Sequence, residues 1–382
     1  MISRWYKSIA LIFFNSLILF LLINIVCLII LACTGSGENK LSAIYTKANY
    51  QKVYPGYTAD EIDSQLNETH TRGFIYDPYQ GYKEAPYHGR YVNVSEHGYR
   101  YNSPGQPDII DSTVIPVLLF GGSTTFGYGV ADSNTIAACL SRMMKEKNPA
   151  YCVYNFGAGG YFSNQELIAF KRSLANKNKP VLAIFLDGLN ELSIHGDDPL
   201  FAGDIRRLLG SMKLSEDVKG TQSFTATMLS KLPLTILYYK IVHQKNNVYF
   251  EKKPTPHTGE IGQVIERYKS NCQIENAMAQ LYGIKALFVI QPIPQYDYDL
   301  SYHVFNGDPV LADPFFAAGY EQMRALQSDT SLPRLWLGGL QHGVNKNLYV
   351  DYVHYSAEMN CMIAKAISEK LDSMKPSIYA AR

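Results

Sequence analysis

The stretch VIPVLLFGGSTTFGYG, residues 114–129, carries the strongest indication of fold class in this sequence. Its apolar part, Val114–Phe120, ends in two glycines and Ser123. A continuous apolar run of this kind is typical of a parallel strand that is buried on both faces of a sheet. The glycines leave Ser123 with little bulk around it. This indicates either an ordinary turn or a nucleophile at the carboxyl end of a strand.

Four more apolar runs follow along the chain, and helical stretches lie between several of them. This alternation predicts a parallel sheet with helices on both faces. We therefore expect a three-layer α/β/α sandwich with about five parallel strands, spanning residues 113–382. The further runs are YCVYNFG (151–157), VLAIFLDG (181–188), GIKALFVIQP (283–292) and RLWLGG (334–339); the clearest helical stretches are TIAACLSRMMKEK (135–147) and NQELIAFKRSLANK (164–177).

The interval between the third and fourth strands is much longer than a crossover helix requires. It holds two apolar or amphipathic segments, IRRLLGSMKL (205–214) and FTATMLSKLPLTILYYKIVHQ (224–244). We predict a helical insertion at about residues 196–262. Three interpretations are open: a cap over the substrate cleft, a surface that faces the membrane or a partner, and additional core packing.

The N-terminus predicts a transmembrane helix. Residues 9–32 carry no charge, and roughly 20 apolar residues suffice to span a bilayer, whereas the apolar part of a cleaved signal peptide has only about 7–15. Arg4 and Lys7 precede this stretch, so the positive-inside rule places residues 1–8 in the cytoplasm and the main body outside, periplasmic or extracellular. A lipoprotein signal ending in LIILAC, with Cys33 lipidated, is the competing interpretation.

Residues 33–112 are polar and rich in tyrosine, and we interpret them as an extracytoplasmic lead-in to the larger domain. The chain has 29 tyrosines, a residue that suits both sugar-facing grooves and loop packing. The formal net charge is +1, so the sequence does not indicate the basic surface that nucleic-acid binding requires. The sequence does not indicate a protein partner.

Cysteine and histidine spacing predicts neither a metal site nor a cofactor. There is no CxxC pair and no histidine cluster of the kind that binds zinc. An extracytoplasmic location permits disulfides. Spacing alone leaves open whether Cys139, Cys152, Cys272 and Cys361 form bonds or stay as thiols.

Polar residues that suit acyl transfer follow the predicted strands. In open α/β sheets, reactive groups gather outside the carboxyl ends of the strands. Ser123 follows the first strand, NFGAGG (155–160) the second and DGLNE (187–191) the third, while DYVHYS (351–356) comes after the last. A serine needs a base to accept its proton and donors to stabilise the oxyanion.

These positions define a catalytic hypothesis. His354 is the candidate base for Ser123, and Asp351 is the candidate partner that orients the imidazole. The candidate oxyanion donors are the amide of Ser123, a glycine amide of the second loop and the side chain of Asn190. His342 is the alternative base, although it has no carboxylate close by in sequence.

The four motifs, in this order, resemble the blocks of the SGNH, or GDSL-like, hydrolase superfamily. FGGSTTFGYG resembles the first block, NFGAGG the second, DGLNE the third and DYVHYS the fifth. The resemblance implies a flavodoxin-like sandwich, a triad of Ser123, Asp351 and His354, and an oxyanion hole of Ser123, Gly160 and Asn190. The sequence departs from the family at Gly122, where an aspartate is common, and at Glu191, where an aspartate is usual.

The resemblance implies a membrane-anchored serine esterase that forms an acyl-enzyme. The expected substrate is an ester, most specifically an O-acetyl group of a cell-envelope glycan. An O-acyltransferase that modifies a surface polysaccharide would use the same site. A lipase and a catalytically silent binding module are further alternatives.

Overall fold

A computed structural model of the chain describes residues 2–33, 47–109, 111–175, 179–193, 229, 232–242 and 260–374. Most of the predicted insertion, including the segment 205–214, lies outside these ranges. The helices are α1 (Ile2–Cys33), α2 (Lys47–Val53), α3 (Ala59–His70), α4 (Ser123–Phe126), α5 (Ile136–Lys147), α6 (Ser163–Ser173), α7 (Leu189–Ser193), α8 (Pro233–Val242), α9 (Ile261–Leu281), α10 (Pro314–Arg324) and α11 (Ala357–Ser373). The strands are β1 (Phe74–Asp77), β2 (Gly81–Glu84), β3 (Tyr87–His88), β4 (Asn93–Val94), β5 (Ile115–Gly121), β6 (Tyr151–Asn155), β7 (Leu182–Asp187), β8 (Lys285–Ile290) and β9 (Arg334–Trp336).

The chain divides into two compact units. One contains Met1–Ile44 and Gly203–Thr255, and the other contains Tyr45–Ala202 and Pro256–Arg382. In the first unit, Trp5–Ala32 of α1 has the length and apolar composition that a bilayer span needs. Helix α8, from the predicted insertion, packs against α1 in this same unit.

The centre of the second unit is a five-stranded parallel sheet in the order β6-β5-β7-β8-β9. The prediction of a parallel α/β/α sandwich with about five strands is therefore confirmed. Each of the five apolar runs quoted above contains one of these strands. Their carboxyl ends lie at one edge of the sheet, which is where the candidate site residues follow them.

Successive side chains of a strand point to opposite faces of the sheet. Both faces are buried here, because helices cover each of them. On one face, Phe185 of β7 stacks between Phe120 of β5 and Phe288 of β8, with ring centroids 5.2 and 5.3 Å apart. Helices α6, α9 and α10 cover this face. Helices α5 and α11 cover the other face, where Leu119 and Ile184 are buried.

A disulfide links the helices on that second face. Cys139 of α5 is bonded to Cys361 of α11, with their Cα atoms 5.3 Å apart. Cys152 and Cys272 are buried thiols. The pairing left open by the sequence is thus resolved for these four residues.

Residues 47–109 and 111–112 of the lead-in belong to the same compact unit as the sheet. Its anchor is Arg100, a fully buried residue that forms an ion pair with Asp132 at 2.7 Å. The Arg100 guanidinium also donates to the backbone carbonyls of Phe126, Gly127 and Val130. These carbonyls lie at the end of α4 and in the loop that follows it, so the lead-in holds this segment in place.

Candidate active site

Ser123 occupies the first position of the short helix α4, directly after β5. The turn into this helix requires glycine at position 121, where φ is +156° and a Cβ would lie 2.0 Å from Thr125 Oγ1. Gly122 precedes the helix as its N-cap. The strand therefore ends in a tight turn that presents the serine at the carboxyl edge of the sheet.

The structure brings Ser123, His354 and Asp351 together. His354 Nε2 lies 2.8 Å from Ser123 Oγ, and His354 Nδ1 lies 2.6 Å from Asp351 Oδ2. The other carboxylate oxygen, Asp351 Oδ1, accepts hydrogen bonds from the backbone amides of Val353 and His354. This is the order of contacts by which a serine is activated and an imidazole is oriented.

Asp351 is held in its charged form. Burial disfavours the carboxylate, but the neighbouring His354 and the hydrogen bonds to the carboxylate outweigh burial and hold the pKa of Asp351 well below its usual range. A carboxylate that stays ionised keeps the proton of the imidazole on Nδ1, which leaves Nε2 as the acceptor for the Ser123 hydroxyl.

Asn190, in the short helix α7, and Gly160, in the turn after β6, belong to segments that lie beside Ser123. The Asn190 side-chain amide donates to the carbonyl of Tyr161 at 2.6 Å, and a Cβ on Gly122 would lie 2.2 Å from its nitrogen. Gly160 has a φ of +73°. It lies in a turn in which Tyr161 N donates a hydrogen bond to the Ala158 carbonyl. An amide nitrogen carries two N–H bonds, so the contact with Tyr161 leaves Asn190 a second donor.

The two departures from the family pattern have structural counterparts. Gly122 makes room for the Asn190 amide, so an aspartate could not take its place without displacing Asn190. Glu191 accepts from Ser163 N at 2.6 Å and forms an ion pair with Arg267 at 3.1 Å. Glu191 therefore fixes helix α7, which carries Asn190, to helices α6 and α9.

Sequence reasoning did not find a second group of residues at the site, contributed largely by the lead-in. Glu84 of β2 accepts hydrogen bonds from Gly159 N at 3.0 Å and from the Tyr128 hydroxyl at 2.9 Å. Its other oxygen pairs with Arg72 at 3.1 Å, and both side chains are buried. The Tyr128 ring stacks on the imidazole of His354, with centroids 5.3 Å apart.

Glu84 thus connects the turn of Gly160 to the ring that covers the triad histidine. We expect Tyr128→Phe, which keeps the ring and removes one hydrogen bond to Glu84, to lower kcat by about tenfold with little change in KM, because Glu84 then restrains Gly159 less; a tenfold loss corresponds to about 1.4 kcal/mol in the activation barrier. Steady-state kinetics measure the change. Tyr50→Phe, which loses a comparable hydrogen bond to Asp63, is the matched control. Equal kinetics for the two variants would contradict a positioning role for Glu84.

A cluster of buried carboxyl groups lies near helix α7, which carries Asn190. Glu166, Asp187, Glu191 and Glu275 are all buried, and in the described chain the cluster has one ion-pair partner, Arg267, bonded to Glu191. Burial and the neighbouring carboxylates raise the pKa of Glu166, Asp187 and Glu275 well above their usual values. The described residues include no set of three His, Cys, Asp or Glu side chains placed to hold a metal ion.

The raised pKa of Glu275 gives a pH-dependent stability. Only the folded protein keeps this proton above the ordinary glutamate pKa of 4.5, so Glu275 by itself lowers the unfolding free energy of wild type by about 1.4 kcal/mol per pH unit until its folded-state pKa is reached. Glu275→Gln removes the titration. We expect the variant to match wild type near pH 4 and to be the more stable protein at pH 7.5. Denaturant melts at both pH values measure this difference, and the exposed Glu369→Gln is the control. A variant less stable than wild type at pH 7.5 would contradict the assignment.

The alternative base, His342, has a partner after all. Its Nδ1 lies 2.7 Å from Asp297 Oδ1, and both side chains are exposed. The two residues are 45 positions apart in sequence, so spacing could not reveal the pair. The hydrogen-bond partner of Ser123 is nevertheless His354.

Comparisons with known proteins give similarities to solved hydrolase structures. No protein-family model matches the chain, and no curated protein matches it. Similar structures include a GDSL-like lipase from Bacteroides thetaiotaomicron, at 12% identity over 71% of this chain and 92% of that one, with a TM-score of 0.35. An acetyl xylan esterase from Geobacillus stearothermophilus is similar at 12% identity over 69% of this chain and 96% of that one, with a TM-score of 0.36. We therefore base the functional proposal on the chain's own residues.

Proposed function

We propose that the protein is a serine ester hydrolase that works through an acyl-enzyme. The observation that carries the proposal is the continuous contact from Asp351 through His354 to Ser123 Oγ. The Ser123 proton passes to His354 Nε2 as Oγ attacks the ester carbonyl carbon. His354 then returns that proton to the leaving alcohol, and the acyl group stays on Ser123. Water attacks the acyl-enzyme by the same route, which releases the acid and restores the serine.

The oxyanion of both tetrahedral states forms beside the loops that surround Ser123. We assign its stabilisation to the Ser123 and Gly160 amides and to the second N–H of Asn190. The hydrogen bonds that restrain Gly159 and Asn190 support this assignment, because donors fixed before the reaction cost no reorganisation during it.

We infer that the substrate is an O-acetyl ester on a cell-envelope glycan. The β1–β2 hairpin, which carries Glu84 to the site, also carries the exposed aromatic rings of Tyr76 and Tyr79. Tyrosine combines an apolar ring with a polar hydroxyl, a combination that suits the surface of a sugar. A glycan acceptor in place of water would make the protein an O-acetyltransferase with the same acyl-enzyme.

The experiment that tests the reaction measures two products from one acetylated oligosaccharide. We expect the purified full chain to release acetate, and mass spectrometry to find an acetyl group on Ser123 when the reaction is quenched. Slow acetate release with fast transfer to an added unacetylated oligosaccharide would favour the transferase. Cleavage of long-chain lipid esters alone would favour the lipase. Folded protein without turnover on any of these esters would favour the binding module.

We propose that α1 anchors the protein in the cell membrane and that the hydrolase unit lies outside the cytoplasm. The Cys139–Cys361 disulfide supports this location, since such bonds persist in oxidising compartments and are rare in the cytosol. Protease added to intact spheroplasts should digest the hydrolase unit. Protection until lysis would reverse the orientation.

A further inference from the structure

Helix α8 and helix α1 share a hydrogen bond within the first compact unit. The amide of Leu234 donates to Asn24 Oδ1 at 3.2 Å, while Asn24 Nδ2 donates to the carbonyl of Phe20 at 2.9 Å. Both ends of the Asn24 side chain are therefore bonded. Asn24 and Cys27 are the two buried side chains of α1 among those that the structure describes, and α8 lies against the helix at Asn24.

The depth of Asn24 in a bilayer follows from the length of α1. Asn24 lies eight residues before Ala32, the end of the apolar stretch, which places it about 12 Å inside that end at 1.5 Å per residue. The hydrocarbon core is about 30 Å thick. If α1 spans the membrane, the backbone of Leu234 in α8, which contacts Asn24, must lie in hydrocarbon as well.

We propose that α8 is embedded in the hydrocarbon of the bilayer beside α1, as a second membrane contact of this protein. The proposal rests on the membrane span proposed for α1. Helix α8 has ten residues, or about 15 Å, which is enough to extend from the depth of Asn24 to the nearer interface without crossing the membrane.

Two backbone positions at the start of α8 leave no unpartnered amide. The first amides of a helix have no partner within the helix, and an unpartnered amide is costly in lipid. Pro233, the first residue of α8, has no N–H, and the amide of Leu234 is satisfied by Asn24. The same bond explains why an asparagine is tolerated in an apolar span.

The exposed apolar side chains of α8 match a lipid partner. Leu234, Ile236 and Tyr238 are exposed, as is Leu229 just before the helix. Exposed apolar groups of this kind mark surfaces that contact a membrane or another protein, and a helix that packs against a membrane span would expose them to lipid. Residues 1–44 and 203–255 both belong to this unit, so the proposal gives the unit two membrane-embedded helices, α1 and α8.

Tryptophan reporters in lipid nanodiscs test the proposal on the full chain. The two natural tryptophans are Trp5 and Trp336, so Trp5→Phe provides a background with one tryptophan outside the membrane unit. Ile236→Trp, and independently Tyr238→Trp, report on α8. Ile25→Trp reports on an exposed position of α1, and Ile274→Trp on an exposed position of α9. The lipids carry bromine on their acyl chains, which quenches nearby tryptophan.

We expect the α8 reporters to lose at least half of their added fluorescence, as the Ile25→Trp reporter does, while Ile274→Trp is unquenched. Unquenched α8 reporters beside a quenched Ile25→Trp would overturn the embedding of α8 and leave the span intact. Blue-shifted but unquenched emission would indicate a protein partner instead and would also overturn it. An unquenched Ile25→Trp would refute the span itself. Ester turnover is not used as a readout, so failure of the esterase proposal would not affect the result.

Discussion

Replacing Ser123 with alanine should reduce turnover of a short-chain aryl ester by a factor of roughly 10⁴ or more, because the triad acts as a unit. The hydroxyl is the atom that His354 contacts at 2.8 Å, and without it no acyl-enzyme can form. The fold should remain intact, since alanine is smaller than serine and Ser123 sits at the exposed edge of the sheet. Steady-state kinetics measure the loss, and thermal unfolding checks the fold.

Ser173→Ala is the matched control for this substitution. Ser173 is a buried serine of α6 whose hydroxyl donates to the carbonyl of Phe170 at 2.7 Å. We expect normal kinetics from this control. A folded Ser123→Ala protein that retains wild-type turnover would rule out the acyl-enzyme mechanism for this site.

A methyl group at position 122 should impair the site through Asn190. In Gly122→Ala the new Cβ would lie 2.2 Å from the Asn190 side-chain nitrogen and 3.1 Å from the Tyr161 carbonyl oxygen. The amide must move, and with it the second N–H that we assign to the oxyanion. Loss of one such donor costs a factor of about 10²–10³ in kcat. We expect the kcat of Gly122→Ala and that of Asn190→Ala each to be lower than the wild-type kcat by about this factor.

The double variant distinguishes this pathway from general damage. If Gly122→Ala acts by displacing Asn190, then adding it to Asn190→Ala should cause little further loss, because the two substitutions remove the same donor. If the kcat losses of the two single variants multiply in the double variant, the methyl group acts elsewhere than on Asn190. Gly262→Ala is the control for glycine replacement, since a Cβ there meets nothing within 4 Å.

The sheet could be predicted because its information is local. Each buried strand is a short apolar run, and the polar residues that follow it mark the edge where function gathers in an α/β sheet. The positions of Ser123, Asn190, Asp351 and His354 were therefore visible as strand-end motifs. The distances between their side chains could not be predicted, because a motif does not specify how far apart two segments lie in the folded protein.

The contacts that lie beyond local sequence were not predictable. Glu84 reaches Gly159 across 75 residues, and nothing around Glu84 in the sequence distinguishes it from a surface carboxylate. The same holds for the contact between Gly122 and Asn190 and for the pairing of Cys139 with Cys361. The described part of the insertion shows a related effect. An apolar helix can be buried in a core, in a partner or in lipid, and sequence pattern does not separate these environments.

The Cys139–Cys361 bond has a consequence for cleavage of the chain. The two cysteines are 222 residues apart, so the covalent ring between them contains the whole of the first unit's internal stretch, Gly203–Thr255. One proteolytic cut inside that stretch would therefore leave a nicked molecule whose halves remain covalently joined. Such a molecule would migrate as a single species without a reductant and separate into two fragments with one. An apparently intact band on a non-reducing gel is thus compatible with a chain already cut in its insertion.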